Sequence, residues 1–313
     1  MFAFIIRRLL ATIPVMLVVA VFVFLMLRLT PSDPAAIIAG DNATAEQVAD
    51  IRGKLGLNEP IYTQFFIWAS KVAHGDFGES FFFKKTVADL IADRIEPTLS
   101  LSFLTILLAV VISVPLGVLA AKRHGSWVDR MVMGFSVLGF SVPVFVIGYS
   151  LIYVFASQLR WVPTNGYHRL HDGFGTWIYY LILPTVTLSV VYIALIARMT
   201  RASMLEVLSE DYVRTARAKG QVERKVLFRH ALRNAAVPIV TVIGLGIALL
   251  IGGVVVTESV FSIPGLGRLT VEAVLARDFP VIQAVILLFS LVYVLINLSV
   301  DVIYSFLDPR LRY

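Results

Sequence analysis

Few residues in this 313-residue chain have the types and spacing that chemistry would need. Two Gly-x-Ser patterns end at Ser141 and Ser150, as in serine proteases that act inside membranes. Such an enzyme needs a histidine base within hydrogen-bond reach, and all five histidines lie outside the apolar runs. His168 and His171 are three residues apart, but no other cluster of potential ligands completes a metal site with them. The Gly-Lys pair that ends at Lys54 lacks the other residues of a phosphate-binding P-loop. The sequence therefore predicts no catalytic residue, bound cofactor or metal on this chain.

The amino-acid composition indicates a membrane protein. The chain is 58% hydrophobic and 15% charged, with a mean hydropathy of +0.84, unlike a soluble globular protein. The absence of cysteine excludes disulfides and thiolate metal sites. A membrane-crossing helix needs ~20 apolar residues. Six runs come close to or exceed that length, namely 9–27, 98–121, 131–157, 180–197, 234–256 and 281–305. We therefore predict an all-α integral membrane protein with six transmembrane helices.

The distribution of lysine and arginine predicts the orientation, because these residues favour the cytoplasmic side. With the N-terminus inside, the cytoplasmic segments hold sixteen of the 27 basic residues and only seven of the 21 acidic residues. The first run follows Arg7 and Arg8 but is too long for a signal-peptide core, so we interpret it as an uncleaved span. We expect both termini in the cytoplasm. No basic patch with interleaved aromatic residues occurs, so nucleic acid is not an expected partner.

The energy source is indicated by the absence of charge in the apolar runs. They contain no Asp, Glu, Lys, Arg or His before Asp301, near the end of the last run. Ion-coupled carriers commonly place ionisable groups at mid-membrane, so an ion-coupled secondary carrier or channel is the disfavoured alternative. Ion sites lined by backbone carbonyls remain open. An intramembrane protease is a third alternative, disfavoured by the positions of the histidines.

A long segment, 31–97, is expected outside the cell membrane and carries three amphipathic stretches. Thr44 and Gln47 form a predicted capping box before the first stretch, the second ends near Gly75, and the third spans residues 87–95. We expect these helices to form a small extracytoplasmic cap over the outer mouth. An anchor lying on the bilayer surface is the alternative, less favoured because the charges are mixed rather than basic.

The cytoplasmic loop 198–233 carries a short basic helix, predicted over residues 211–220. Asp211 suits the positive end of this helix, and Gly220 suits its stop. Ala216 and Gly220 give the helix a small face, and Tyr212 could anchor it. A short rigid helix between two spans can pass force to a protein in the cytoplasm. Spacing alone is equally consistent with a basic loop that only enforces the orientation.

The same stretch resembles the cytoplasmic EAA loop of permease subunits in binding-protein-dependent ABC importers. The positions corresponding to Glu-Ala-Ala, the later glycine and Leu-Pro are residues 214–216, Gly220 and residues 232–233. The glutamate, the first alanine and the proline of the family pattern are replaced. The basic form is similar to the dipeptide, oligopeptide and nickel branch. The resemblance extends almost end to end, since segments 7–8, 31–34, 55–60 and 74–80 also resemble that branch.

The resemblance implies a B-type permease subunit with the type I ABC importer permease fold. It implies a heterodimer with a second homologous permease subunit, two ATPase subunits that bind ATP and Mg, and an extracytoplasmic substrate-binding protein. The location implied is the bacterial cytoplasmic (inner) membrane. The family cargo is mostly di- and oligopeptides, with nickel chelates, glutathione and some sugars in particular members. Docking in an ATPase cleft is implied for Asp211, Tyr212, Arg214, Thr215, Ala216, Arg217, Lys219 and Gly220.

The segment 258–268, between the last two runs, resembles the "VFSIPGLG" segment of the same family. Its Pro-Gly and Leu-Gly pairs predict a compact turn. Two interpretations of this turn are equally open. It could form part of an outer gate, or it could be a packed re-entrant turn without substrate contact. The candidates for an outer gate or a binding-protein contact are Glu258, Phe261, Pro264, Gly265, Gly267 and Arg268.

The uncharged spans predict a permissive passage, with affinity set by the binding protein. The candidates for lining it are Ser141, Tyr149, Thr187 and Ser189. The predicted organisation is an N-terminal tail and first span at 1–30, the extracytoplasmic segment at 31–97, and a permease core at 98–313. The core holds five spans and the coupling loop 198–233.

Overall fold

The computed structural model of the chain describes residues 2–29, 35–36, 44–54 and 56–307. Within these ranges the regular structure is helical, apart from one isolated bridge between Glu79 and Thr86. The predicted all-α class is confirmed. The turn at 31–34 and the basic residues Arg310 and Arg312 lie outside the described residues.

Among the described residues, five helices are long and apolar enough to cross a membrane, and a bent pair makes a sixth span if it is counted as one. The five are α1 (Phe2–Leu29), α4 (Val87–Lys122), α7 (Phe174–Leu208), α9 (Leu232–Val260) and α11 (Phe279–Leu307). The bent pair is α5 (Trp127–Ser141) and α6 (Val144–Leu151). The shorter helices are α2 (Ala45–Lys54), α3 (Ile61–Ala73), α8 (Asp211–Ala218) and α10 (Leu266–Leu275). The spanning helices extend beyond their predicted apolar runs, because polar residues at their ends are also helical.

The third predicted span is broken rather than straight. Its first half is α5 and its second half is Val144–Gln158, which begins with α6, and the two are bent by 102° relative to each other. Val142, between them, is extended with φ −93° and ψ 123°, because the ring of Pro143 disfavours helical backbone at the preceding residue. After Leu151 the chain continues as a π-helix, Ile152–Gln158. The break corrects the expectation of one continuous run over 131–157.

The larger of two compact units comprises residues 1–5, 95–268 and 295–313. Its core centres on α7, whose Leu181, Leu188 and Ile196 are fully buried. The helices α5, α6 and α9 pack against α7. A Cβ atom added to Gly253 of α9 would lie 2.8 Å from a methyl carbon of Leu188, so this glycine permits the close approach of α9 to α7.

The smaller unit comprises residues 6–94 and 269–294. Phe24 of α1 packs against Phe65 and Trp68 of α3, with ring centroids 5.4 and 5.6 Å apart. The capping box before α2 is confirmed. The Thr44 N–H donates to Gln47 Oε1 at 2.9 Å, and the Gln47 N–H donates to Thr44 Oγ1 at 3.3 Å.

The third predicted amphipathic stretch is not a separate helix. Residues 87–95 form the first turns of α4, which runs through Pro97 to Lys122 without a break. Thr86 caps this long helix, since its hydroxyl oxygen accepts from the Asp89 N–H at 3.2 Å. Proline is tolerated inside membrane helices because neighbouring groups can satisfy the freed carbonyl. The expected cap thus has two separate described helices, α2 and α3, and its position relative to the membrane stays a prediction.

Candidate functional site

The helix α8 occupies the middle of the basic loop, as predicted. Its N-cap residue is Glu210, with extended backbone and no capping side chain. Ser209 closes the preceding helix, because its hydroxyl donates to the Glu206 carbonyl at 2.7 Å. Asp211 lies in the first turn of α8, where a negative charge meets the positive end of the helix dipole.

Two side chains of α8 attach it to the start of α9. Val213 is fully buried. The Tyr212 hydroxyl accepts a hydrogen bond from Asn234 Nδ2 at 2.8 Å, and the same amide donates to the His230 carbonyl at 3.0 Å. Tyr212 therefore anchors α8 within this chain, although its side chain is still 41% exposed.

Gly220 ends the helix in the left-handed conformation predicted for it, with φ 75°. Its N–H donates to the Arg217 carbonyl at 2.9 Å, and the next N–H, of Gln221, donates to the Ala216 carbonyl at 3.2 Å. A Cβ atom at Gly220 would have no neighbour within 4 Å. The glycine is therefore required by the backbone conformation and not by lack of space.

The outward surface of α8 is basic. Arg214 and Lys219 are exposed, and Ala216 between them is half-buried. Arg217 pairs with Glu223, with 3.0 Å between Nη2 and Oε1, and exposed pairs of this kind contribute little to stability. The Thr215 hydroxyl donates to the Asp211 carbonyl at 2.9 Å, so it is used within the helix.

A compact apolar base adjoins the segment between α8 and α9. It joins Val118 and Ala121 at the end of α4, Met204 near the end of α7, and Leu227 and Ala231 just before α9. Leu227 and Ala231 belong to a π-helix, Val226–Ala231, that follows a short helix, Glu223–Lys225, and leads into α9 without a break. The base therefore joins the ends of α4 and α7 to the segment that leads into α9.

A buried ion pair near this base joins the start of α5 to α7. The side chain of Asp129 is 5% exposed, and both of its oxygens accept from the Arg201 guanidinium, one at 2.8 Å from Nη2. The Gly125 N–H donates to Asp129 at 3.0 Å, and His124 Nδ1 lies 3.2 Å from the same carboxylate oxygen. Sequence reasoning missed this cluster, because Asp129 and Arg201 are 72 positions apart and neither belongs to a motif.

The segment 258–268 is packed around one carboxylate. Glu258 is fully buried, and it accepts from Thr98 Oγ1 of α4 at 2.5 Å and from the Arg268 N–H at 2.9 Å. A Cβ atom added to Gly265 would overlap this carboxylate, and one added to Gly267 would lie 3.0 Å from Oε2. Both glycines are therefore needed for the close approach. Glu258 acts as an internal tie, so it is not free to contact another protein.

The other candidates in this segment are mostly buried as well. Phe261 is 1% exposed, and its carbonyl accepts from the Gly166 N–H at 3.1 Å. Arg268 is half-buried, and Pro264 is exposed. The compact turn is thus present, and Pro264 is the gate candidate best placed to contact another molecule.

A second polar network supports the loop before α7. The Tyr167 hydroxyl donates to Glu96 Oε1 at 3.1 Å, and the Leu170 N–H donates to the same oxygen at 2.9 Å. Burial raises the pKa of the Tyr167 hydroxyl, which keeps it neutral and able to donate. This loop and the outer turn are joined by the bond from Gly166 to Phe261.

The four candidates for lining the passage have different surroundings. Ser141 and Tyr149 are exposed on the bent pair. Thr187 and Ser189 are buried, and their hydroxyls donate to the carbonyls of Leu183 and Thr185 at 2.8 and 2.6 Å. Those two hydroxyls are therefore used inside α7 and are not offered to a passage.

Comparison with known proteins gives matches along the whole chain. Residues 113–313 match the family described as "Binding-protein-dependent transport system inner membrane component", and residues 1–102 match its N-terminal companion. The "Probable peptide ABC transporter permease protein y4tP" of Sinorhizobium fredii is 59% identical over 310 residues, 99% of each chain. The "Glutathione transport system permease protein GsiC" of Escherichia coli K12 is 47% identical over 313 residues, 100% of each chain.

Solved structures show the same fold. The inward-facing MetNI methionine ABC transporter superposes with a TM-score of 0.58 at 21% identity, over 70% of this chain and 96% of the other. At that identity the likeness concerns the fold alone, and it confirms the predicted type I permease fold.

These matches confirm the transport role and exclude the carrier, channel and protease alternatives. The relatives are transport permeases rather than enzymes, and in such systems partner ATPase subunits hydrolyse ATP. The protein is therefore a multi-pass inner membrane protein that works with ATPase and other subunits. The chain belongs to the family of binding-protein-dependent transport system inner membrane components and is a permease subunit of an ABC importer.

Proposed function

We propose that this permease imports di- or oligopeptides, in a heterodimer with a second homologous permease subunit. Two relatives that align with it end to end are named for peptide and for glutathione transport, and glutathione is itself a peptide. An extracytoplasmic binding protein delivers the cargo. Two ATPase subunits bind ATP and Mg²⁺, and this chain binds no cofactor.

The geometry of α8 carries the proposal for coupling. The helix is fixed to the membrane part by Val213 and Tyr212, and it exposes Arg214 and Lys219. In the proposed complex this exposed surface docks in a cleft of an ATPase subunit. Closure of the ATPase pair then moves α8, and the apolar base passes the movement to α4, α7 and α9. Both termini lie in the cytoplasm in this arrangement.

Site-specific cross-linking tests the docking of α8. The chain has no cysteine, so Arg214→Cys introduces a single thiol on the exposed surface of the helix. In the assembled transporter, a short thiol-to-amine cross-linker should join this variant to an ATPase subunit. Lys122→Cys, exposed at the end of α4, is the matched control and should give little product. Equal yields from the two variants would contradict a specific docking of α8.

A cargo panel tests the substrate class. Proteoliposomes that hold the complete transporter should accumulate a labelled di- or oligopeptide when ATP and the cognate binding protein are supplied. Unlabelled peptides should compete, whereas a nickel chelate and a sugar should not. Uptake of the chelate or the sugar without any peptide uptake would refute the proposed cargo.

A further inference from the structure

The exposed hydroxyl groups on the spanning helices follow two different patterns. Exposed serine and threonine side chains on several helices donate to the carbonyl four residues earlier, at 2.7 to 2.9 Å. The examples are Ser141, Thr241, Ser259 and Ser299. This back-bonding is how such residues are tolerated in hydrocarbon, where an unsatisfied polar group is costly.

The second half of the broken span departs from this pattern. Ser150 and Ser157 are exposed, and neither hydroxyl has a hydrogen-bond partner among the residues that the structure describes. Tyr149 and Tyr153 are 58% and 62% exposed, and their hydroxyls also lack partners within the same ranges. Four free hydroxyl groups therefore project from one short element.

The four side chains lie on the part of this element that faces away from the core, where Phe145, Val146 and Val154 are also exposed. A Cβ atom added to Gly148 would lie 3.2 Å from Val260 and 3.3 Å from Thr187, so that side of α6 packs against α9 and α7. Tyr149, Tyr153 and Ser157 recur every four residues on the exposed side. The π-helix from Ile152 to Gln158 continues this side, and π-helical turns occur frequently at functional sites.

A second exposed surface of the same unit has the opposite chemistry. A groove of about 460 Å³ between α4 and α7 is lined almost entirely by apolar side chains, including Leu107, Val111 and Ile182. Lipid chains can cover the exposed apolar side chains of this groove, and its one polar lining residue, Thr185, is itself buried. They cannot do so on the hydroxyl face of the broken span, where each free hydroxyl in hydrocarbon would cost about 1–3 kcal/mol.

We infer that the hydroxyl face, defined as Tyr149, Ser150, Tyr153 and Ser157, forms a wall of the aqueous passage and contacts the cargo. A hydroxyl can donate to a peptide carbonyl and accept from a peptide N–H, so the face recognises the backbone amides that all peptides share. It carries no charge and therefore accepts varied side chains. Only the naming of peptide as the cargo rests on the proposed function.

Thiol accessibility tests the wall in the complete transporter. Ser150→Cys and Ser157→Cys should react with a water-soluble, charged thiol reagent about tenfold faster than Leu107→Cys and Ile182→Cys in the apolar groove, because only a thiol in water ionises readily. Addition of cargo, binding protein and ATP should slow the first pair and leave the second unchanged. Reaction of Ser150→Cys and Ser157→Cys as slow as that of the groove variants would overturn the inference.

Removal of single hydroxyls tests the contact with the cargo. Tyr149→Phe and Tyr153→Phe keep the rings, and each should raise the KM for peptide uptake about three- to tenfold, as expected for the loss of one hydrogen bond, with kcat nearly unchanged. An unchanged KM in both variants would contradict a hydrogen bond between these two hydroxyls and the cargo. If the wild-type transporter takes up no peptide, the proposed cargo fails, while the labelling rates still decide whether the face is wet.

Discussion

Gly220 is the residue on which the geometry of α8 depends most directly. Its φ is 75°, and a side chain there would have free space. Gly220→Val should cost about 1–3 kcal/mol of local conformational free energy, because a β-branched residue is strained in the left-handed region. Uptake and the ATPase activity stimulated by loaded binding protein should fall together, while membrane insertion stays normal. Stimulated ATPase activity in proteoliposomes measures the effect.

The matched control is Gly220→Asn, because asparagine visits the left-handed conformation far more readily than valine does. This variant should keep most of the coupled activity. If both variants behave like the wild type, the turn after α8 has no part in coupling.

The tight packing around Glu258 leads to a second prediction about a single residue. Gly265→Ala places a methyl group against the buried carboxylate and should lower the stability by about 1–3 kcal/mol, as overpacking does. Thermal unfolding of the purified protein in detergent measures the change. Gly252→Ala, in α9 with no atom within 4 Å of the added Cβ, is the control and should not lower the stability, because alanine is the better helix former. Equal unfolding temperatures for the two variants would contradict close packing of Gly265 against the Glu258 carboxylate.

Features that depend on the local sequence could be predicted, whereas contacts between residues far apart in the sequence could not. The positive φ of Gly220 and the Thr44–Gln47 capping box follow from local backbone chemistry. Glu258 and Thr98 are 160 positions apart, so nothing in the sequence pairs them. The burial of Thr187 was also missed, since a single sequence does not reveal which side of a membrane helix faces the core.

Apolar run length predicted the spanning helices, because crossing a bilayer fixes a minimum length. It could not show where helices continue or break. Residues 87–95 join α4 because Pro97 does not interrupt it, whereas Pro143 follows an extended residue and divides the third span. Hydropathy treats the two prolines alike, although their backbone contexts differ.

The Asp129–Arg201 pair gives a prediction at the scale of elements, because it holds α5 against α7. Arg201→Gln leaves a buried carboxylate without its counterion and should destabilise the protein by about 3–5 kcal/mol. The double variant Asp129→Asn, Arg201→Gln should lose clearly less, since no unpaired charge remains. Thermal unfolding of the wild type, both single variants and the double variant completes the cycle. Additive losses would mean that the two residues do not act as a pair.

The orientation of the whole molecule rests on the asymmetry of lysine and arginine. Lys85→Cys and Lys225→Cys place single thiols at exposed positions on opposite sides of the predicted topology. In spheroplasts, which lack the outer membrane, an impermeant thiol reagent should label Lys85→Cys. It should label Lys225→Cys only after the inner membrane is permeabilised. The reverse pattern would contradict the six-span arrangement with cytoplasmic termini.

The central claim at the scale of the whole molecule is that ATP hydrolysis by partner ATPase subunits drives peptide import. The passage itself has no chain of charged side chains that could carry protons or other ions. The direct measurement is uptake of a labelled peptide by proteoliposomes that contain both permease subunits, the ATPase subunits and the binding protein. With ATP supplied and the proton and sodium gradients collapsed, uptake should continue at nearly the full rate, and it should stop when ATP is withheld. Uptake driven by an imposed ion gradient in the absence of ATP would contradict the account.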